Sequence, residues 1–276
     1  MNDKIPQIKF GEYEISRLIL GGNYIAGGSH LSPFIDKEIK DYFTEKRIIQ
    51  FIQKCLDSEI NTWQSSGQHV NIFNKIKEKG HKLNYISLGY EAEDNIGLEK
   101  FVETGTMGVA HHGEFTDEYY KNGKMHLVQE YCKKVRDAGL MVGVSTHMPE
   151  VMKYILDEGW DVDFFMCCLY ERHRSRQQLK NLLGEVPIPV GEVYLESDPG
   201  RMFEVINQTE KPCLAFKMLA AGRKCKDQET VEQAFKTTFK NIKPKDAVIV
   251  GMHPIHENQA QLNANFVKKY SKLSTE

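Results

Sequence analysis

The residues best suited to chemistry in this chain fall where short apolar runs give out. His111 and His112 end the run MGVAHH, His147 ends GVSTH and His253 lies in GMHPIHE, so four of the ten histidines occupy such places. Imidazole changes charge near neutral pH and is also a common metal ligand, so the set points to proton transfer or, as the alternative, to a divalent metal. The spacing offers no HxH or HxxxH pair for a metal, and His111 and His112 face opposite sides if both continue a strand. Lys217 is the other marked residue, because CLAFKML is otherwise apolar or small and a lysine is almost never fully buried without a partner. It reads as an anion-binding group, as an amine of lowered pKa able to form a Schiff base, or as a lysine paired with Glu192 or Glu171. Cys167 and Cys168 lie side by side in an apolar run, so one thiol faces inward and the other outward, and both read as packing groups.

Such residues act together only if a scaffold gathers the ends of the runs. The pattern supplies one: IKFGEYEISRLILGG alternates around Gly11 as a short hairpin and leads into a strand at Leu18–Leu20. Further strands read at 60–64, 83–88, 107–110, 141–144, 162–169, 213–218 and 247–250. Helical spacing fills the gaps: Glu45–Leu56 behind a Thr44 cap, then 70–79, 98–103, one long helix 116–138, then 149–156, 174–183, 199–207, 229–239 and 257–270. Phe34 to Tyr42 reads as an extra surface helix. Eight strands alternating with helices predict a single α/β domain, a closed (β/α)8 TIM barrel with an N-terminal β-hairpin, over an open doubly wound sheet. GGNYIAGG lacks the GxGxxG spacing that the open sheet would call for.

A barrel places its reacting groups at the C-terminal ends of the strands and in the loops that follow. Those positions collect Trp63, Gln64, Tyr90, Glu91, His147, Tyr170 and Glu171 as substrate-binding candidates, with His111, His112 and Lys217 as catalytic ones. Arg223 in AAGR and the turn carrying Gly251 and His253 lie where barrels often hold phosphate, so a phosphate or nucleotide is expected there.

Composition narrows the partners. With 36 Lys and Arg against 38 Asp and Glu, the net charge of -2 lacks the basic surplus that nucleic acid demands. No run approaches the roughly 18 apolar residues that cross a bilayer, and MNDKIPQIKF has no apolar signal core, so a cytoplasmic protein with a small-molecule substrate is expected. Six scattered cysteines without CxxC read as reduced thiols. Oligomeric state is not encoded in any of these features.

In order along the chain, ISRLILGGN, the pair Ile60 and Asn61, GLMVGVSTH, DVDFFMCCLYER and DAVIVGM followed by ENQAQLNANF resemble landmarks of the aldo-keto reductase superfamily. The resemblance implies NADP-dependent carbonyl reduction by an Asp, a Tyr, a Lys and a His. In this chain Gln64 stands at the Asp position, His69 at the Tyr, Gly89 at the Lys, and His111 or His112 at the His. The resemblance further implies nicotinamide contacts at Ser145 and Thr146, with Phe164 and Cys167 at the next strand. It also implies a phosphate loop around Gly251, His253 and Asn263. Three activities follow as alternatives: a reductase-fold enzyme on a small carbonyl or sugar-like substrate with His69 or His112 as proton donor; a lyase, isomerase or hydrolase using the histidine-rich mouth; or a non-catalytic binding barrel.

Overall fold

The computed structural model describes residues 4–90, 97–188 and 192–272. Gly11 adopts φ +60°, which lets β1 (Gln7–Phe10) turn directly into β2 (Tyr13–Ser16) as an antiparallel hairpin. Among the described residues, eight parallel strands then close into a barrel: β3 (Leu18–Gly21), β4 (Thr62–Ser66), β5 (Asn84–Gly89), β6 (Gly108–His111), β7 (Met141–Thr146), β8 (Phe164–Cys168), β9 (Cys213–Phe216) and β10 (Ala247–Val250), which pairs back onto β3. The expected fold is therefore the observed one, hairpin included. Around the strands run α1 (Pro33–Tyr42), α2 (Glu45–Asp57), α3 (Val70–Glu78), α4 (Leu98–Thr104), α5 (Gly113–Lys121), α6 (Met125–Asp137), α7 (Pro149–Asp157), α8 (Arg176–Leu183), α9 (Asp198–Ile206), α10 (Gln228–Asn241) and α11 (Gln259–Tyr270). Thr44 caps α2, its side chain accepting from the Arg47 amide.

The two-residue period of each strand divides the core in two. Ile19, Ile86, Leu88, Ala110, Met166, Leu214 and Ile249 fill the barrel interior. That interior is closed at its N-terminal end by hairpin residues, with Phe10 packed against Phe164 at 5.0 Å between ring centroids. Their neighbours, including Leu18, Trp63, Tyr85, Val109, Val144, Cys167 and Val250, face the helices. At the same end Arg17 donates to the carbonyls of Asp246 (2.9 Å), Ser271 (2.7 Å) and Lys243 (2.9 Å), tying the first barrel strand to the last and to the C-terminal helix. Among the described residues no helix is long and apolar enough to cross a membrane.

One departure from the sequence reading matters for the site. The single helix expected over 116–138 is two helices, α5 and α6, broken at Asn122 and Gly123. Gly123 takes φ +65°, a left-handed turn that a helix interior cannot hold. The break frees α5 to start immediately after β6, with His112 as its N-cap, and to lie across β7.

Candidate active site

The short α5 carries Asp117, a carboxylate with no exposure in the wall of the barrel. Thr146 donates its hydroxyl to Oδ1 at 2.5 Å, while Oδ2 accepts from the His147 amide at 3.0 Å and meets His147 Nδ1 at 2.8 Å. Burial pushes the Asp117 carboxyl up to about 6, against the pull of Thr146 and the His147 amide. Burial holds His147 well below the usual imidazole range, with Arg172, Lys217 and His112 acting in the same direction. At neutral pH the carboxylate is thus charged and the imidazole neutral. Nδ1–H is committed to Asp117, so Nε2 is the basic atom. The His173 ring stacks on His147 at 4.8 Å and Phe216 packs edge-on at 5.6 Å, which fixes the plane of the imidazole.

Lys217 follows β9 directly. It has φ +60°, unusual for a side-chain-bearing residue, which turns the chain out of the strand. Its Nζ lies 2.7 Å from His30 Nε2, on the loop between β3 and α1, and His30 has φ +58°. His30 Nδ1 in turn meets Glu192 Oε1 at 3.1 Å. Glu192 also accepts from Arg172 and, at 2.6 Å, from the Tyr194 hydroxyl. Arg172 Nε donates to His173 Nε2 at 2.7 Å. A polar chain therefore crosses the mouth from Lys217 through His30, Glu192 and Arg172 to His173, ending on the face of His147. Burial pulls the Lys217 ammonium down to about 8; Arg172 and Arg223 push the same way, and Glu192 opposes them. Burial disfavours ionised Glu192, yet its contacts with His30, Lys217, Tyr194 and Arg172 outweigh that and hold the carboxyl well below its ordinary range. Cys168 lies within electrostatic reach of Lys217, but burial pushes its thiol up to about 12, so it stays neutral.

Strand parity distributes the other expected residues. His112 lies beside the mouth, its ring near Tyr90 (6.0 Å) and Phe115 (5.5 Å), and Tyr90 stacks on Phe115. Burial lowers the His112 pKa. His111 faces the helices, with Nδ1 2.7 Å from Thr116 Oγ1, and burial pulls it down to about 3. His69 also sits in the helix layer, 2.7 Å from Ser65 Oγ and packed on Trp63, with a pKa drawn down by burial to about 4. Trp63 is wholly buried in that layer. Gln64 lines the interior and donates to the Ser65 carbonyl at 2.9 Å. Ser145 is buried near Gly113, where a Cβ would come 2.9 Å from the serine Oγ. Tyr170 packs at 5.1 Å against Tyr194. Glu171 is bound by Arg174 (3.1 Å) and Arg201 (2.5 Å), and Arg174 also grips buried Asp198, so this cluster braces the loop after β8. Arg223 lies over the Tyr194 ring and donates to the carbonyls of Glu192 and His30. Glu91 lies outside the described residues. Gly89 faces α6: a Cβ there would come 2.2 Å from Tyr131 Oη, so a lysine at that position could not reach the mouth.

Asp117, His30, Arg172, His173 and Glu192 complete the site, and of these only Glu192 stood out in the sequence, as a partner for Lys217. Asp117 lies on the α5 face that packs on β7, and a carboxylate buried there requires the partners it finds in Thr146 and His147.

Two cavities flank the polar chain. One, of about 450 Å³, runs from Gln64, Phe216 and Lys217 along the loops after β9 and β10. The other, of about 510 Å³, is bordered by Glu114, Glu118, Lys121, Arg172, Arg174 and Glu192. The first reaches Gly251, His253 and Asn263, where a dinucleotide phosphate was expected. The groups there do not fit one. Asp227 caps α10 with its own carboxylate, Asn258 caps α11, and Asp227 and Glu257 both line the cavity. A divalent metal fits no better. Asp117, His147 and His173 place donor atoms within 4.8 Å of one another. Yet Asp117 already accepts from Thr146 and His147, and His173 Nε2 accepts from the Arg172 guanidinium, contacts that an ion would have to displace.

No family model and no curated protein sequence matches the chain. Solved structures do resemble it. A truncated 3-deoxy-D-arabino-heptulosonate 7-phosphate synthase from Thermotoga maritima is 10% identical, with TM-score 0.55 over 99% of this chain and 93% of that one. The glycerol dehydrogenase of Gluconobacter oxydans, an aldo-keto reductase, is 13% identical, with TM-score 0.53 over 98% and 90%. The dihydropteroate synthase of Xanthomonas albilineans is 8% identical, with TM-score 0.52 over 98% and 99%. Likeness at these identities shows the barrel and nothing finer, since one barrel hosts many chemistries.

Proposed function

We propose that the protein is an imine-forming barrel enzyme, a lyase or isomerase acting on a small carbonyl compound, with Lys217 as nucleophile and the Asp117–His147 pair moving protons. The observation that carries this reading is Lys217 itself: a largely enclosed amine with pKa about 8, bordering a cavity and within electrostatic reach of a carboxylate-held histidine. A neutral amine adds its lone pair to the carbonyl carbon, and the carbonyl π pair takes up a proton. The carbinolamine then loses water to give an iminium. His147 Nε2 next removes a proton, from the α-carbon for isomerisation or from a β-hydroxyl for carbon–carbon cleavage, and the released electron pair flows to the iminium nitrogen. The imidazolium so formed is stabilised by the Asp117 carboxylate and returns the proton to the enamine, after which water frees Lys217.

The reductase reading implied by the sequence resemblance has less support. Its lysine position is Gly89, aimed at Tyr131, its tyrosine position is His69, turned into the helix layer, and acidic groups line the expected phosphate site. Borohydride reduction in the presence of propanal tests the imine reading. A reduced adduct mapping to Lys217, absent from Lys217→Met, is expected. Adducts spread evenly over surface lysines with none at Lys217 would overturn it.

A further inference from the structure

The cavity that opens beside Lys217 has a chemical character distinct from the mouth. Leu31, Phe216, Met218, Val231, Met252 and Leu262 give it apolar walls. Several of its polar groups are already engaged. The Tyr24 hydroxyl meets His253 Nδ1 at 2.5 Å, Gln259 Oε1 accepts the His253 amide at 2.7 Å, and Asp227 caps α10. Lys226 is offset by Asp227 and Glu257, so the far end carries no cationic surplus to hold phosphate or carboxylate. The second cavity, by contrast, is bordered by charged groups almost throughout. A space of about 450 Å³ with apolar side chains along its walls and no net positive charge at its far end suits an uncharged chain rather than a phosphorylated one.

We infer that the carbonyl substrate bears an uncharged, largely apolar arm of several carbons, which lies in the cavity between the β9 and β10 loops while its carbonyl meets Lys217. This rests on Lys217 being the imine-forming group. Because the cavity and the amine are continuous, each methylene seated there adds about fourfold to affinity by removal of apolar surface from water. An arm five methylenes longer is therefore expected to raise trapping efficiency by about 100-fold, allowing for incomplete burial of the chain.

The test compares borohydride trapping of propanal and octanal at subsaturating concentration, mapped to Lys217 by mass spectrometry. It uses the wild-type protein, Leu262→Trp, which fills the cavity from α11, and Leu262→Ala, which enlarges it. Octanal is expected to label Lys217 about 100-fold more efficiently than propanal in the wild type. Leu262→Trp is expected to lose most of that preference while still trapping propanal at the wild-type rate, which also shows that the variant is folded. Leu262→Ala should keep the preference. If Lys217 traps both aldehydes equally and Leu262→Trp changes nothing, the arm inference fails while the lysine reading stands. If Lys217 traps neither, the lysine reading fails and takes this inference with it.

Discussion

Lys217 should behave as an amine far more reactive than its surface counterparts. With a pKa of about 8, about one molecule in 11 carries it neutral at pH 7, against about one in 2,500 for an ordinary lysine of pKa about 10.4. The neutral fraction is thus about 200-fold larger. Lower basicity weakens the nucleophile, and with the slope found for thiols, about 0.4–0.5, a ~20-fold advantage remains. Trace labelling with acetic anhydride across pH 6–11, read by mass spectrometry of the peptides holding Lys217 and exposed Lys46, measures both the advantage and the midpoint. Labelling of Lys217 should saturate with a midpoint near pH 8, well below the ~10.4 of an ordinary lysine. Glu192→Gln removes an anion that favours the ammonium, so it should move the Lys217 midpoint below 8. A Lys217 midpoint near 10, or labelling no faster than Lys46, would refute the reasoning, because the lowered pKa is what makes imine formation accessible at neutral pH.

Two further outcomes concern stability. Arg174→Leu strips buried Asp198 of its cation and is expected to cost about 3 kcal/mol in urea unfolding; a loss under about 1 kcal/mol would show that the loop after β8 is not braced by this cluster. Acid should destabilise the fold well above the carboxylate range. His69 and His111 are drawn down to about 4 and about 3, so at pH 5.5 only the unfolded chain, with imidazoles near 6.5, binds their protons. The stability they confer is complete above about pH 7 and falls as pH drops, by about 3 kcal/mol at pH 5.5 for the two. Asp117, raised to about 6, binds a proton in the folded state first and restores ~0.8 kcal/mol, so these three groups together lose ~2 kcal/mol. His147 and His173, also drawn down by burial, add to the loss. Urea unfolding at pH 7.5 and 5.5 with the same free energy would contradict this.

How much of this was legible in the chain follows from the range of the signals. The barrel was legible because strand and helix periods alternate locally and their order implies closure. Lys217 was legible because a charge inside CLAFKML contradicts its neighbours. Asp117 was hidden by a helix read straight through Asn122 and Gly123, since apolar spacing continues on both sides of the break. His30, Arg172 and Glu192 form one cluster, but His30 lies 142 residues from Arg172 and 162 from Glu192, and no local pattern encodes such a pairing. The sides taken by Trp63 and Gly89 depend on strand parity, which a one-residue ambiguity at a strand start reverses, while His69 lies in the turn just beyond β4. That ambiguity also explains how positions matching the resemblance in order along the chain face the helix layer in the fold.

The most direct measurement of the central claim is exchange of the α-hydrogens of butanone in deuterated buffer, followed by proton NMR. An imine at Lys217 acidifies those hydrogens and His147 removes them, so the wild-type protein should exchange them catalytically. Lys217→Met should fall to the background rate. Asp117→Asn, which leaves Nδ1 of His147 without its carboxylate, should lose about 100-fold or more while remaining folded by circular dichroism. Exchange by Lys217→Met at the wild-type rate would contradict the account.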